Sequence, residues 1–298
     1  MSLLTAIQPR SSTPGSADLK EQVLKRAGDF TMIPAAAMKA MEIGRNPACS
    51  VKEYASAIER DVRLTADILS MANSSLYASG APATSLNDAI RRLGLRRCQG
   101  LILSTCTAGL MKQLPFQQSQ VREALWRHGY TTAVICRHLN QSLQLGFTGE
   151  EFTAGLMHDL GRSLLAATVP DRFAELVTDG EEGPHTLQLE QAALGTDHCE
   201  IGAAFGARNG LPAALIAVIQ QHHCPDHARE HQKLVSLVAM ADQMAKRFED
   251  CTALPVDVPG DPLCISILAE RERIRDALQT VTPAMAENAA TEALRLIA

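Results

Sequence analysis

Apolar residues recur along this chain at helical rather than alternating intervals, in short blocks bounded by Ser, Asp, Gly and Pro, and no block reads as a convincing strand. The prediction is an all-α fold. Pro34 suits the first turn of a helix through Ala35 to Glu42 that Gly44 stops, and Ser50 with Glu53 forms a capping box for the next, which turns Tyr54, Ala57 and Ile58 inward. Thr65 to Ala72 ends at Asn73-Ser74-Ser75, residues whose side chains compete for backbone partners, and Ser85 opens a helix that Gly94 closes. Leu95 to Met111, apolar and Ser/Thr-containing and interrupted mainly by the pair Arg96-Arg97, reads as a buried helix; after Pro115, Ser119 as N-cap opens a long helix to about Leu143. Further helices follow from Leu164 to Val169, Asp171 to Val177, Leu187 to Leu194, from the Asp197/Glu200 cap onward, from Pro212 to His222-His223, and over Lys233 to Phe248. Stretches around Ile265 to Leu278 and Ala284 to Ile297 complete the pattern.

One block differs from the rest. Phe152 to Gly161 is small and apolar except for the adjacent His158 and Asp159. Thr148 with Glu151 reads as its capping box and Gly161 as its C′ residue. A buried imidazole beside a buried carboxylate must be paired, hydrogen-bonded or metal-bound.

Composition narrows the alternatives. At 298 residues, 46% hydrophobic and 20% charged, the chain has the make-up of a soluble globular protein able to bury a sizeable core. A net charge of −5 gives no basic footprint, so nucleic acid is not an expected partner. Neither is a membrane: no apolar run approaches the roughly 20 residues needed to span a bilayer, and the N-terminus lacks the order of a secretory signal. Eight cysteines, scattered singly with no Cys-x-x-Cys pair, fit a reducing cytoplasmic compartment and read as small core fillers. Residues 1–17, rich in Ser, Thr, Pro and Gly, read as a flexible lead-in to a single domain over 18–298. That domain divides into an N-terminal helical lobe (18–114), a second lobe (115–250) and a C-terminal helical extension (251–298).

The second lobe concentrates chemistry. His128, His158, His198, His222 and His223 fall at interior-looking positions, with His138 less clearly placed, and Asp159 and Asp242 lie in comparably apolar surroundings. Imidazole and carboxylate together suit a borderline divalent ion, and two such ions can share a bridging carboxylate. Taken singly, each residue also has an ordinary structural reading. His128 could be a satisfied core histidine, His222-His223 a polar helix end, and Asp242 the partner of Lys246 one turn on. His185, His227 and His231 read as cap, loop and surface residues.

The joint pattern resembles the HDOD family, a branch of the HD superfamily of metal-dependent phosphohydrolases, over roughly residues 20–250. In the first lobe the resemblance rests on Ile58-Glu-Arg-Asp61 with Leu64-Thr65, on Met71-Ala-Asn73-Ser74 with Tyr77, and on Ala89-Ile90 leading to Leu93-Gly94-Leu95. In the second it rests on Trp126-Arg-His128, Ala154-Gly-Leu-Met-His158-Asp159-Leu-Gly161, Gly195-Thr-Asp-His198 with Gly202, Leu211-Pro212 and His222-His223. It implies an HD-domain-like multi-helix bundle in two helical lobes. It also implies metal ligands at His128, His158, Asp159, His198, His222, His223 and Asp242, for one or two ions of iron, manganese, zinc or nickel, with Asp159 bridging where two are bound. Arg162 stands where catalytic relatives carry a phosphate-binding Lys, and an Arg fork is not equivalent to an ammonium. After His222-His223 there is no Gly-Tyr-Pro run, so cyclic-di-GMP phosphodiesterase activity is not expected.

Two readings follow. The first is a free-standing bacterial signal-transduction or regulatory protein with a metal-binding, HD-like site and a protein partner in a signalling pathway. The second is a metal-dependent phosphohydrolase acting on a nucleotide or other phosphorylated small molecule, with Asp159 and Arg162 in catalytic roles and Arg162 or Arg127 holding phosphate.

Overall fold

Local capping signals start many of the helices. The computed structural model describes residues 16–30, 32–44, 46, 48–73, 80–177, 184–249 and 268–297. In chain order it forms α1 (Ser16–Ala27), α2 (Ala35–Gly44), α3 (Val51–Ile58), α4 (Val62–Ala72), α5 (Leu86–Leu93) and α6 (Leu95–Gln113). There follow α7 (Ser119–Leu143), α8 (Glu150–Met157), α9 (Leu160–Thr168), α10 (Pro170–Val177), α11 (Pro184–Leu194), α12 (His198–Arg208) and α13 (Ala213–Gln221). A 3-10 turn at Pro225–His227 leads to α14 (Gln232–Glu249), α15 (Arg271–Gln279) and α16 (Pro283–Ile297). Among the described residues there is no strand. Ser50 and Glu53 make the reciprocal capping box of α3, at 3.1 and 3.0 Å. Asp61, Ser85 and Asp197 cap α4, α5 and α12 through backbone N–H groups three residues on.

The long α7 is the spine. It packs against α8, α14 and α16, and the last contact is fixed by Trp126 Nε1–H donating to the Ala293 carbonyl at 2.8 Å. In the N-terminal part α2 packs on α3, and α4 on α5 and α6; α6 then meets α8, while α1 lies against α9 and α12. A single cluster of buried apolar side chains runs from Val23 to Ile297 through both halves. A smaller one gathers Met71, Ala72, Ala83, Ala89 and Leu101.

Three local expectations are corrected. Gly161 does not close a helix: it lies inside α9, where any Cβ would collide with the His198 carbonyl oxygen, so its role is to let α9 and α12 approach. Thr148 and Glu151 form no capping box; the N-cap of α8 is Gly149, whose N–H donates to Glu151 Oε2 at 2.7 Å, because Glu151 turns inward and also accepts from Asn140 Nδ2 at 3.1 Å. Ser119 is the first residue of α7 and not its cap, which is Gln118 with no side-chain bond. Ser74, Ser75 and Tyr77, the 1–15 part of the lead-in and residues 250–267 of the C-terminal segment lie outside the described residues.

Candidate metal centre

The pattern that looked like one short helix is two helices with a break, and the break holds the doublet. α8 ends at Met157, His158 is its C-cap, and Asp159 (φ −98°, ψ 23°) takes the N-cap position of α9. Asp159 makes no side-chain cap bond there, so its carboxylate is not spent on the helix start. Around it α7 brings His128, the start of α12 brings His198, the end of α13 brings His222 and His223, and α14 brings Asp242. All of these are buried except His223, which is half-buried. Five separate pieces of chain thus deliver the seven expected groups to one place.

The arrangement has two sides with Asp159 between them. Its Oδ2 lies 3.6 Å from His158 Nε2 and 3.9 Å from His128 Nε2; Asp242 Oδ1 is 2.9 Å from His128 Nε2 and 3.5 Å from His158 Nε2. On the other side Asp159 Oδ1 is 3.5 Å from His198 Nε2 and 3.4 Å from His222 Nε2, and His198 Nε2 is 3.1 Å from His223 Nε2. Both oxygens of Asp159, His158 Nε2 and His222 Nε2 are buried without a hydrogen-bond partner. Such groups cost about 1–3 kcal/mol each when left unmade, more if charged.

The other ring nitrogen of four of the five imidazoles is occupied. His158 Nδ1–H donates to the Gly155 carbonyl at 2.7 Å, and His222 Nδ1 lies 3.2 Å from the Val218 and Ile219 carbonyls. His198 Nδ1 lies 2.7 Å from Glu190 Oε2, and His128 Nδ1 lies 3.2 Å from the Glu249 carboxylate. Outer contacts of this kind fix the tautomer and aim Nε2 inward, which is the usual orientation of metal-ligating histidines. Two subsets bring one donor atom per residue within 4.8 Å of one another: His128, His158 and Asp159, and His198, Cys199, His222 and His223. Orphaned donors, aimed imidazoles and a shared carboxylate fit divalent transition ions.

Comparison with known proteins bears on the family and the fold. The HDOD domain family matches residues 30–225. The chain belongs to the HDOD family. A candidate phosphohydrolase of Shewanella amazonensis superposes with a TM-score of 0.69 at 23% identity, covering 93% of this chain and 98% of the other. An HDOD domain protein of unknown function from Geobacter sulfurreducens gives 0.63 at 23% identity, covering 93% and 96%. A candidate signal transduction protein of Marinobacter aquaeolei gives 0.67 at 19%, covering 94% and 65%. At these identities the likeness is one of fold. An uncharacterized protein of Treponema pallidum is 26% identical over 267 residues, 88% of this chain and 51% of its own length, so the chain spans about half of that relative. Among the described residues no helix is long and apolar enough to cross a membrane.

Within this HDOD protein the charges at the centre are mutually supporting. Burial pushes the Asp159 carboxyl up, but His158, His222, Arg162 and His198 outweigh it and hold the group well below the usual carboxylate range. Asp242 is likewise held low against its burial, by Lys246 at 2.8 Å and by His128. Burial opposes a charge on His128, yet the hydrogen bonds to Asp242 and Glu249 raise it to about 10. His222 and His223 are lowered, first by burial, with neighbouring imidazoles adding to it, so both are neutral at pH 7 and ready to ligate.

The remaining candidates separate cleanly. Arg162 is buried with Nη1 3.6 Å from Asp159 Oδ2, whereas Arg127, one residue before His128 and about 100° around the helix, is exposed. His138 is not in the cluster; its Nε2 meets Thr280 Oγ1 at 2.6 Å. His227 and His231 are exposed, and the side chain of His185 lies outside the described set. Asp242 does pair with Lys246, but in a buried setting beside His128 and not as a solvated contact. Glu190 and Glu249 were not anticipated, because a single carboxylate in an amphipathic helix carries no local mark of the partner it will meet.

Proposed function

We propose that this HDOD protein is a metal-dependent phosphohydrolase working in signal transduction, on a nucleotide or another phosphorylated small molecule. The observation that carries the reading is the carboxylate of Asp159, buried between two sets of inward-facing imidazoles with neither oxygen hydrogen-bonded. His128, His158, Asp242 and Asp159 Oδ2 would hold one divalent ion; His198, His222, His223 and Asp159 Oδ1 would hold a second. Ions held this way supply Lewis-acid polarisation of phosphoryl oxygens and a nucleophile competent at neutral pH. Glu190, Glu249 and the backbone carbonyls occupy Nδ1 of His198, His128, His158 and His222 and aim each Nε2 inward. Arg162 and Lys246 add positive charge against Asp159 and Asp242, where a phosphoryl group would gather negative charge.

The test is a screen of phosphoesters with protein reconstituted with manganese, iron, nickel or zinc. Turnover that disappears in Asp159→Ala while ion content falls supports the reading; inertness with two ions bound per chain overturns it. In that case the regulatory reading holds, a module that signals through a protein partner around a structural metal. The burial of six of the seven groups and the pairing of Arg162 with Asp159 favour that alternative.

A further inference from the structure

Cys199 is the one member of the metal-competent clusters that neither the pattern of imidazoles nor the proposed pair of ions uses. It is the second residue of α12, directly after His198, and is 3% exposed. Its sulfur and one nitrogen from each of His198, His222 and His223 lie within 4.8 Å of one another. One of the rings in that group, His222, has its Nε2 fully buried and without a hydrogen-bond partner, so the cluster that the sulfur joins already calls for a ligand. The position is fixed by backbone and not by a mobile side chain: Asp197 caps α12 through the Glu200 N–H at 2.8 Å, Glu190 accepts from the His198 N–H at 2.8 Å, and the Gly161 contact presses α9 against this turn.

We infer that Cys199 ligates the ion on the Oδ1 side of Asp159 through its thiolate, and that this half of the centre selects a thiophilic ion such as zinc or iron over manganese or magnesium. The inference rests on the two-ion reading above and adds a ligand to it. On binding, the S–H bond breaks, its proton leaves to solvent, and the sulfur lone pair forms the new S–metal bond with no change of oxidation state. Soft thiolate ligands favour zinc and iron, while an all-nitrogen and oxygen set does not discriminate against manganese in the same way. The two ions would therefore sit in unlike environments, with sulfur on the Oδ1 side and only nitrogen and oxygen on the side of His128, His158 and Asp242.

The full chain, stripped of metal and reconstituted with cobalt(II), tests this without reference to activity. The expected result is an intense near-ultraviolet sulfur-to-cobalt charge-transfer band alongside the weak visible bands of bound cobalt. That band should be lost in Cys199→Ser and kept in Cys106→Ala, a thiol on α6 remote from the cluster in sequence and equally buried. Zinc should also weaken in Cys199→Ser by a larger factor than manganese. Bound cobalt with no charge-transfer band overturns the ligand assignment and leaves the two-ion reading standing; a band that survives Cys199→Ser overturns it as well. Failure to bind cobalt overturns both.

Discussion

Glu190 uses one carboxylate oxygen for two donors of the same residue, the His198 backbone N–H at 2.8 Å and Nδ1–H at 2.7 Å. A neutral amide keeps an acceptor but loses the charge assistance, so Glu190→Gln should cost about 10–100-fold in ion affinity with the fold intact. Competition against a chromophoric chelator measures it, and unchanged affinity would reduce the contact to packing. His128 gives a pH prediction. Its folded pKa, about 10, lies above the unfolded value near 6.5, so the pairing with Asp242 and Glu249 contributes stability fully present below the unfolded value and lost as pH rises through the folded one. In chelator-treated protein the urea midpoint should fall as pH rises toward and through 10, and Glu249→Gln should flatten that slope; a slope equal to that of the parent protein would remove Glu249 from the account. The seven inward groups were legible only as a family pattern, since spacing cannot join residues on five elements. Glu190 in Leu187-Gln-Leu-Glu190-Gln and Glu249 after Lys246-Arg-Phe read as solvent-face carboxylates until the tertiary fold supplies His198 and His128.

Helices answer to rules that act within a few residues, and these were the most readable part of the chain. Ser50, Ser85 and Asp197 cap as their spacing says, since the donor each needs is three residues away whatever the rest of the fold does. Gly161 misled because the same residue that ends helices by conformational freedom also allows two backbones to touch, and the second use depends on a partner 37 positions later in the chain, the His198 carbonyl. Thr148 and Glu151 misled because Asn140 and the Gly149 N–H compete for the Glu151 carboxylate. Two glycine substitutions with opposite signs follow. Gly161→Ala forces α9 from α12 against backbone that cannot yield, and should cost at least the ~3 kcal/mol at the upper end of overpacking effects. Gly109, inside α6 with nothing within 4 Å of an added Cβ, should gain about 0.5–1 kcal/mol as Ala through helix propensity. Chemical denaturation of the pair decides it. Equal effects at the two sites would show that the α9–α12 contact is softer than its geometry indicates.

At the scale of the molecule, the centre draws on α7, the α8–α9 break, α12, α13 and α14, which also pack on one another through the apolar core. Divalent ions that bind the folded chain and not the unfolded one raise its stability by linkage, about 2.7 kcal/mol per site at a free concentration one hundred times the dissociation constant. Because the core runs without interruption from Val23 to Ile297, that gain should be felt by the whole chain and not by the second half alone. Trp126, the single tryptophan, is buried on α7 and bonded to Ala293 on α16, so its fluorescence reports the joint between the spine and the C-terminal helix. Far-UV circular dichroism reports all the helices together. Removing metal with a chelator should lower the melting midpoints of both signals by the same amount and keep them coincident, and adding back zinc or manganese should restore them together. If the fluorescence midpoint falls while much of the helical signal melts where it did before, then α1–α6 unfold independently of the centre, and the continuous core does not couple the two halves.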